Sequence, residues 1–343
     1  MNVLEILNTI RENNSSFYQE RIPEATAENL KDIGSQILAY QPLRNEFIDA
    51  LLCKVAFTEV SNRKYSNPLA VLKSGTMPFG NTWEEVHTNP TTAKAFDRTD
   101  ASGLLRREVG DTASIYHSKN RADEYIVDVS YEELQTAFTS LGEMSSFIQS
   151  KIDAMYSGDE IDEFGLMKNV ITDGVTEGWV KSYDVDYDGK EETSKELIKL
   201  VKTLSNNFTF ASKEYNGYNL KLAEEIEAGT KTGRITWTPK PNQVIFIRSD
   251  VDAATDVEVL AKAFNMEKVE FDKRKFVVDH FGDTETLVVL ADDKFLKVKD
   301  NVYTIENFRN GHTLTTKYML HHHQTISASL FANCVAIKKT ASA

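Results

Sequence analysis

The stretch from residue 61 to residue 127 constrains this chain most. Helical periodicity stops there. Pro68, Pro78 and Pro90 fall inside it, with Gly75, Gly80, Gly103 and Gly110. Among them lie extended pieces, ASIYHSKN and DEYIVDVS, in which apolar and polar residues alternate. A period of two predicts strands with one face in solvent. A connection of this length, with no helix of its own, is rare inside a compact domain unless it is functional or lies against something else. The expectation is an extended loop that does not pack within its own domain.

Helical patterns flank this region. Leu4, Leu7 and Ile10 keep helical spacing, and further patterns run through ATAENLKDIGSQILAY and LRNEFIDALLCKV. After the extended region, Ser130 and Glu133 form a capping-box pattern ahead of Tyr131, Leu134 and Phe138. Met144, Ile148, Ile152 and Met155, then Ile161, Phe164, Met167 and Ile171, predict one long helix over 140–173 that passes Gly158. Its apolar stripe shifts around the axis after Gly158, so it should pack on more than one neighbour. Residues 176–305 read as a mixed unit. A helix near 193–206 precedes the strand QVIFIRS, the helix DVEVLAKAFN and the strands KFVVDHF, ETLVVLAD and KFLKVK. The segment 312–338 reads as a long strand or a strand pair. The fold class is α+β, and the length of 343 residues suggests about two domains.

Composition removes several classes of function. No run of about 18 apolar residues exists to span a membrane, and MNVLEILNTIRENNSS is not built like a secretion signal. The net charge is −13, and the densest basic runs, NRK at 62–64 and DKRK at 272–275, are short. That excludes a chain built to read nucleic-acid sequence. It is compatible with enclosing DNA, because a wall of like charge does not hold the polymer. Cys53 and Cys334 are the only cysteines, so packing and not disulfides must supply stability. Both read as buried thiols, Cys334 within the apolar run FANCVAI.

Four stretches resemble one family. They are NPLAVLKSGTMPFGNTWEEV at 67–86, LQTAFTSLGEMSSFIQSKIDAMYSGDEIDEFGLMK at 134–168, DVEVLAKAFNM at 256–266 and HQTISASLFANCVAI at 323–337. Together they are similar to the major capsid protein of phi-29-like, short-tailed bacteriophages. The resemblance implies the Hong Kong 97 shell fold. On that basis residues 1–60 form the N-terminal arm and helices, and 61–127 an extended loop lying over a neighbouring subunit. Residues 128–175 form a peripheral domain with a spine helix, 176–305 an axial domain, and 306–343 return strands of the peripheral domain. It implies copies of the chain joined in hexamers and pentamers, as an icosahedral or prolate shell around double-stranded DNA. The implied partners are a scaffolding protein during assembly and a portal protein at one vertex. The implied location is the virion, with assembly in the host bacterial cytoplasm. Some members carry a further immunoglobulin-like domain after the final strands. This chain stops at KKTASA, so the role of that domain is expected to be absent. An encapsulin-like compartment is the alternative within the same fold, and a calcium- or metal-dependent protein the alternative from another class.

The chemistry of the last alternative rests on two stretches. In DVDYDGKEETSKE, Asp184, Asp186, Asp188 and Gly189 fill positions 1, 3, 5 and 6 of a calcium loop. Position 12 is then Lys195, a cation where a bidentate carboxylate belongs. Thr193 and Glu196 instead suggest a T-S-K-E capping box that opens a helix at a solvated acidic loop. No metal site is assigned, and Asp184, Asp186 and Asp188 are the candidate ligands. In the second stretch, His321, His322 and His323 sit on a strand, where only His321 and His323 can share a face. Packing or subunit contact is the expected role, with protonation of these histidines near pH 6 expected to loosen such a contact. The motifs G-x-S-x-G, H-E-x-x-H and G-x-x-x-x-G-K-[ST] are absent, so no enzymatic activity and no cofactor are assigned. Lys73 lies in the extended loop, without identifiable partners for a cross-linking reaction.

Overall fold

A computed structural model describes residues 3–26, 28–44, 46–47, 65–77, 80, 82–95, 107, 109–130, 141–255 and 274–340. In chain order its helices are α1 (Val3–Asn13), α2 (Ser16–Arg21), α3 (Leu30–Ala39), α4 (Leu141–Thr176), α5 (Glu191–Phe208), α6 (Gly217–Lys221), α7 (Ala223–Glu227) and α8 (Ser249–Ala254). Its strands are β1 (Thr82–Thr88), β2 (Thr112–Ser118), β3 (Arg121–Ser130), β4 (Lys181–Val185), β5 (Gln243–Arg248), β6 (Lys275–Val278), β7 (Thr286–Asp292), β8 (Leu296–Asn310), β9 (Thr315–Ala328) and β10 (Cys334–Lys339). The chain divides into two compact units. One holds residues 1–67, 122–163 and 302–323, and the other 68–121, 164–301 and 324–343. The mixed α+β class expected from the sequence is present.

The first unit is built on α1 to α3, the early part of α4 and parts of β3, β8 and β9. Leu7, Ile10, Ile33 and Ile37 present the helical stripe read from the sequence, and they are buried with Val129, Met155, Tyr156, Tyr318 and Leu320. The N-terminal helices therefore spend their apolar faces inside their own unit. Ser15 caps α2 by accepting from the Tyr18 amide at 3.3 Å. At Gly158 a Cβ would stand 3.4 Å from the Tyr125 ring. That is ordinary van der Waals contact, and the helix passes Gly158 without interruption.

The second unit is organised by a five-stranded sheet in the order β4-β10-β7-β5-β6. Strand β7 runs antiparallel to its neighbours β10 and β5, while β10 pairs parallel with β4 and β5 with β6. The central strands are buried on both faces, which is why LVVLA and VIFI read as unbroken apolar runs. Alternate side chains divide between two cores. Ile245, Ile247, Leu290, Val335 and Ile337 face α5 residues Leu197, Val201, Leu204 and Phe208. Val244, Phe246, Val289, Ala291, Cys334 and Ala336 face Met167, Ile171 and Val175 of α4. Each such aliphatic side chain contributes about 1.5–3 kcal/mol by leaving water. The shifted stripe of α4 is thus explained: Met155 and Tyr156 enter one core, and Met167, Ile171 and Val175 another.

Several expectations are corrected. Helix α5 starts at Glu191 with Lys190 at its N-cap, two residues before the expected T-S-K-E box. The Thr193 hydroxyl turns back to the Asp188 carboxylate at 2.8 Å and the Lys190 carbonyl at 3.0 Å, so it does not cap from outside the helix. The strand read as KFLKVK extends far beyond that run, to Asn310; its outer half alternates weakly and is largely exposed, so no apolar period marks it. Within 61–127, the described β1–β2 stem is not detached from the rest of its unit. It is fastened there by the polar contacts described below, and polar contacts leave no hydrophobic period in a sequence. The capping box at Ser130 and Glu133, most of LRNEFIDALLCKV including Cys53, and the helix DVEVLAKAFN lie wholly or partly outside the described residues. Cys334 is buried, and burial pushes its thiol pKa up.

Candidate functional site

A two-stranded hairpin is marginal in water unless something holds it. Strands β1 and β2 pair antiparallel from Thr82 opposite Ser118 to Thr88 opposite Thr112. The alternation puts Trp83, Glu85, His87, Ala113, Ile115 and His117 on one face and Glu84, Val86, Ser114 and Tyr116 on the other. The first face is the held one. Glu85 accepts from Lys297 Nζ at 2.9 Å and from Ser329 Oγ at 2.9 Å, and it meets His117 Nε2 at 3.0 Å. His117 Nδ1 meets Ser327 Oγ at 2.8 Å. The indole of Trp83 stacks on the His117 ring with centroids 4.3 Å apart, and the Lys299 ammonium lies 4.1 Å from the Trp83 ring centre.

The electrostatics follow from those contacts. Burial by itself raises the Glu85 pKa, but the hydrogen bonds from His117, Lys297 and Ser329 outweigh it and hold the carboxyl below its ordinary range. His87 is shifted down, first by burial and then by the nearby Arg234 charge. A cleft of about 330 Å³ opens beside this root, lined by Glu85, His87, Trp237, Asp292, Lys294 and Phe331.

Both flanks of the stem are closed by one polar chain. Lys73, ahead of β1, pairs with Asp300 at 3.0 Å. Arg121, after β2, donates to Gln324 Oε1 at 2.6 Å, and Gln324 donates to Asp300 at 2.5 Å. Backbone bonds join the same segments: Ser74 to Val298 at 2.7 Å and Met77 to Asp300 at 2.7 Å. At the far end of the stem, Asn89 donates to Asp111 at 2.7 Å and to the Gly233 carbonyl at 3.0 Å. The buried Arg234 guanidinium donates to Asp111 at 2.8 Å. Desolvation opposes ionisation of Asp111, and Arg234 and Asn89 overcome it, so its pKa is held low.

The second face of the stem is open. Val86 is 59% exposed and Tyr116 is 68% exposed, with the Tyr116 hydroxyl 3.2 Å from Glu84. On this otherwise polar face Val86 and Tyr116 are the exposed apolar side chains.

Buried charge forms a second constellation, in the first unit. Asp153, Asp159, Glu160 and Glu163 are all buried on α4. Asp159 meets His322 Nδ1 at 2.5 Å, and Tyr303 packs edge-on against the His322 ring at 4.7 Å. Glu160 accepts from the Asn67 amide and Glu163 from the Asn67 side chain, each at 2.9 Å. No motif in the sequence marks these acids. The available signal was their shared helix face within an apolar pattern.

The candidate residues named from sequence fall as follows. Asp184, Asp186 and Asp188 alternate with the core residues Val185 and Tyr187, so D-V-D-Y-D is the outer face of a strand and its extension. Asp188 is occupied by Thr193 and by the Lys190 amide at 3.0 Å, and Gly189 turns the chain with φ +83°. Hydrogen bonds from Lys190 and Thr193 hold the Asp188 pKa low. No group of metal-ligating side chains among the described residues unites the three aspartates. His321 is half-buried and 3.9 Å from Glu124, whereas His322 points the opposite way, to Asp159. Sequence proximity offered no acidic partner for these histidines; the long helix supplies one.

Known proteins agree with this architecture. The Phi29-like phage major capsid protein family model matches residues 7–338. The major capsid protein of Bacillus phage B103 is 32% identical over 337 residues, covering 97% of this chain and 72% of that protein. That of Bacillus phage PZA is 31% identical over 340 residues, with the same coverages. The capsid structure of Staphylococcus phage Andhra superposes with a TM-score of 0.65 at 14% identity, covering 80% of this chain and 85% of that one. It shares the fold. With most of its length matched in sequence, the chain belongs to the Phi29-like phage major capsid protein family and is a shell component of the virion.

Proposed function

We propose that this shell subunit has the Hong Kong 97 fold and closes an icosahedral or prolate head through its β1–β2 stem. The observation that carries the reading is the stem itself. Its inner face is anchored at Glu85, His117 and Asp300, while Val86 and Tyr116 face outward. In this reading 61–127 is the extended loop lying over a neighbouring copy, 128–175 the peripheral domain with its spine helix, 176–305 the axial domain around each hexamer or pentamer, and 306–343 the returning strands. Residues 1–60 are the N-terminal arm and helices, which with the extended loop tie each copy to its neighbours. The role is assembly and not catalysis. Modest contacts suffice, because each later contact in a closing shell is intramolecular. A scaffolding protein guides assembly, a portal protein occupies one vertex, and double-stranded DNA is confined by a wall of net charge −13 without base recognition.

Electron microscopy of the purified full chain tests the reading. Closed shells support it. A persistent monomer at every concentration and salt tried overturns it. Replacing Val86 and Tyr116 with serine should lower shell yield without changing the melting temperature of the subunit.

A further inference from the structure

The five-stranded sheet separates charge along its length. Strands β4, β10, β5 and β6 run in one direction and β7 in the other, so the end of β4 and the start of β5 lie at opposite ends. Asp184 and Asp186 stand at the first end. Both are exposed, and no hydrogen bond or ion pair joins either to a described residue, although Asp186 lies near enough to raise the Lys190 pKa and Asp184 stands opposite Lys338 in the strand register.

Lys202 and Lys240 stand at the other end. Helix α5 runs back along the sheet, and Ser205 Oγ donates to Gln243 Oε1 at 2.6 Å, which sets its last turns beside the start of β5. Lys202 is exposed on that helix, and Lys240 begins the short turn Lys240–Asn242. Neither has an acidic partner among the described residues. Lys240 is held below the ordinary lysine range, first by burial and then by the charge of Lys202, so the two ammonium groups sense each other.

Beside them are Phe210, 68% exposed, and Trp237, 51% exposed. They lie on adjacent backbone runs. The Thr238 amide donates to the Phe208 carbonyl at 2.7 Å, and Ser212 and Thr236 exchange bonds at 3.0 and 2.9 Å. Asp292 and Asp293 lie nearby but are bonded to Thr238 and Asn242. Two lysines without an ion pair beside two exposed aromatic rings suit a partner with carboxylates on a flat edge.

We propose that the Lys202–Lys240–Phe210–Trp237 end of one copy receives the Asp184–Asp186 edge of the next copy. The inference rests on the reading of the chain as a self-assembling shell subunit and names the residues that join two copies. Because the two surfaces are at opposite ends of one sheet, the contact is head-to-tail, the kind that closes a ring. The aspartates that resemble a calcium loop then take lysines of the next copy as their cations.

The test uses the full chain, with shells counted by sedimentation and electron microscopy and folding checked by thermal melts. The double substitution Lys202→Glu with Lys240→Glu should reduce assembled protein about tenfold at fixed concentration while the melt stays within a few degrees. Asp184→Lys with Asp186→Lys should do the same. The chain carrying all four substitutions should recover assembly, since every copy then presents both reversed ends. Undiminished assembly of either double variant overturns the inference and leaves the shell reading standing. Failure of the folded four-substitution chain to recover also overturns it, assigning the lysines to another anion such as nucleic acid. A wild-type chain that forms no shells counts against the shell reading itself.

Discussion

Glu85 Oε2 lies 3.0 Å from His117 Nε2 across a diagonal of the β1–β2 hairpin, since His117 faces Trp83 and Glu85 faces Ile115 in the strand register. The same carboxylate also collects Lys297 and Ser329. One side chain therefore carries much of the attachment of the stem. Glu85→Ala leaves a partly buried lysine and a buried histidine and hydroxyl without their shared partner. The expected loss is about 2–3 kcal/mol by thermal or urea melts. Amide exchange in 112–118 should speed up more than in β7, and equal acceleration in both would show that Glu85 supports the whole unit.

The pH dependence follows from the direction of the Glu85 shift. Its folded pKa is depressed below the ordinary value of 4.5. A depressed carboxyl adds stability above its unfolded pKa, and that contribution is lost as pH falls through the folded value. Stability should therefore decline as pH drops below about 4.5, and Glu85→Gln should flatten that decline. Parallel acid profiles for the two proteins would assign the loss to other carboxyls.

Asp159 and His322 form a buried pair at 2.5 Å with both side chains 3% exposed. Removing one partner leaves the other polar group in a poor solvent. His322→Ala and Asp159→Ala should each cost about 3–5 kcal/mol. The double variant should cost less than the sum, giving a coupling energy of about 1 kcal/mol or more in a double-mutant cycle. Additive losses would show that the two side chains act separately.

Two glycines of α4 should respond in opposite ways to alanine. At Gly165 nothing lies within 4 Å of a new Cβ, so Gly165→Ala should stabilise by about 0.5–1 kcal/mol through helix propensity. At Gly174 the new Cβ would stand 2.7 Å from both Trp179 and Val180 side-chain atoms. Gly174→Ala should therefore lower the melting temperature, overpacking outweighing the same propensity gain. Stabilisation at both sites would show that Trp179 yields freely.

The start of α5 can be tested at two threonine-box positions. Thr193 is tied to Asp188 and Lys190, while no described bond ties Glu196 to the helix start. Thr193→Ala should lower the melting temperature and Glu196→Ala should leave it within about a degree. The reverse order would restore the T-S-K-E box.

Much of the fold was legible because burial has a period. The stripe through Leu7 and Ile10, the two-register stripe of the long helix and the unbroken apolar runs of β5 and β7 all follow from which side chains must leave water. The D-V-D-Y-D alternation is the exception: it reads in sequence as a solvated acidic loop, and the burial of Val185 and Tyr187 corrects it to a strand and its extension. The polar attachments were not legible. Glu85 finds Lys297 and Ser329, Asp159 finds His322 and Lys73 finds Asp300 across more than a hundred residues of chain. Hydrogen bonds and ion pairs depend on positions within a few tenths of an ångström and carry no periodic trace. The sequence by itself determined the elements, their buried faces and the shell family, because those rest on apolar pattern and shared residues. Only the tertiary structure decided where the hairpin is rooted, which histidine is buried against a carboxylate and which charges are left for a neighbouring copy.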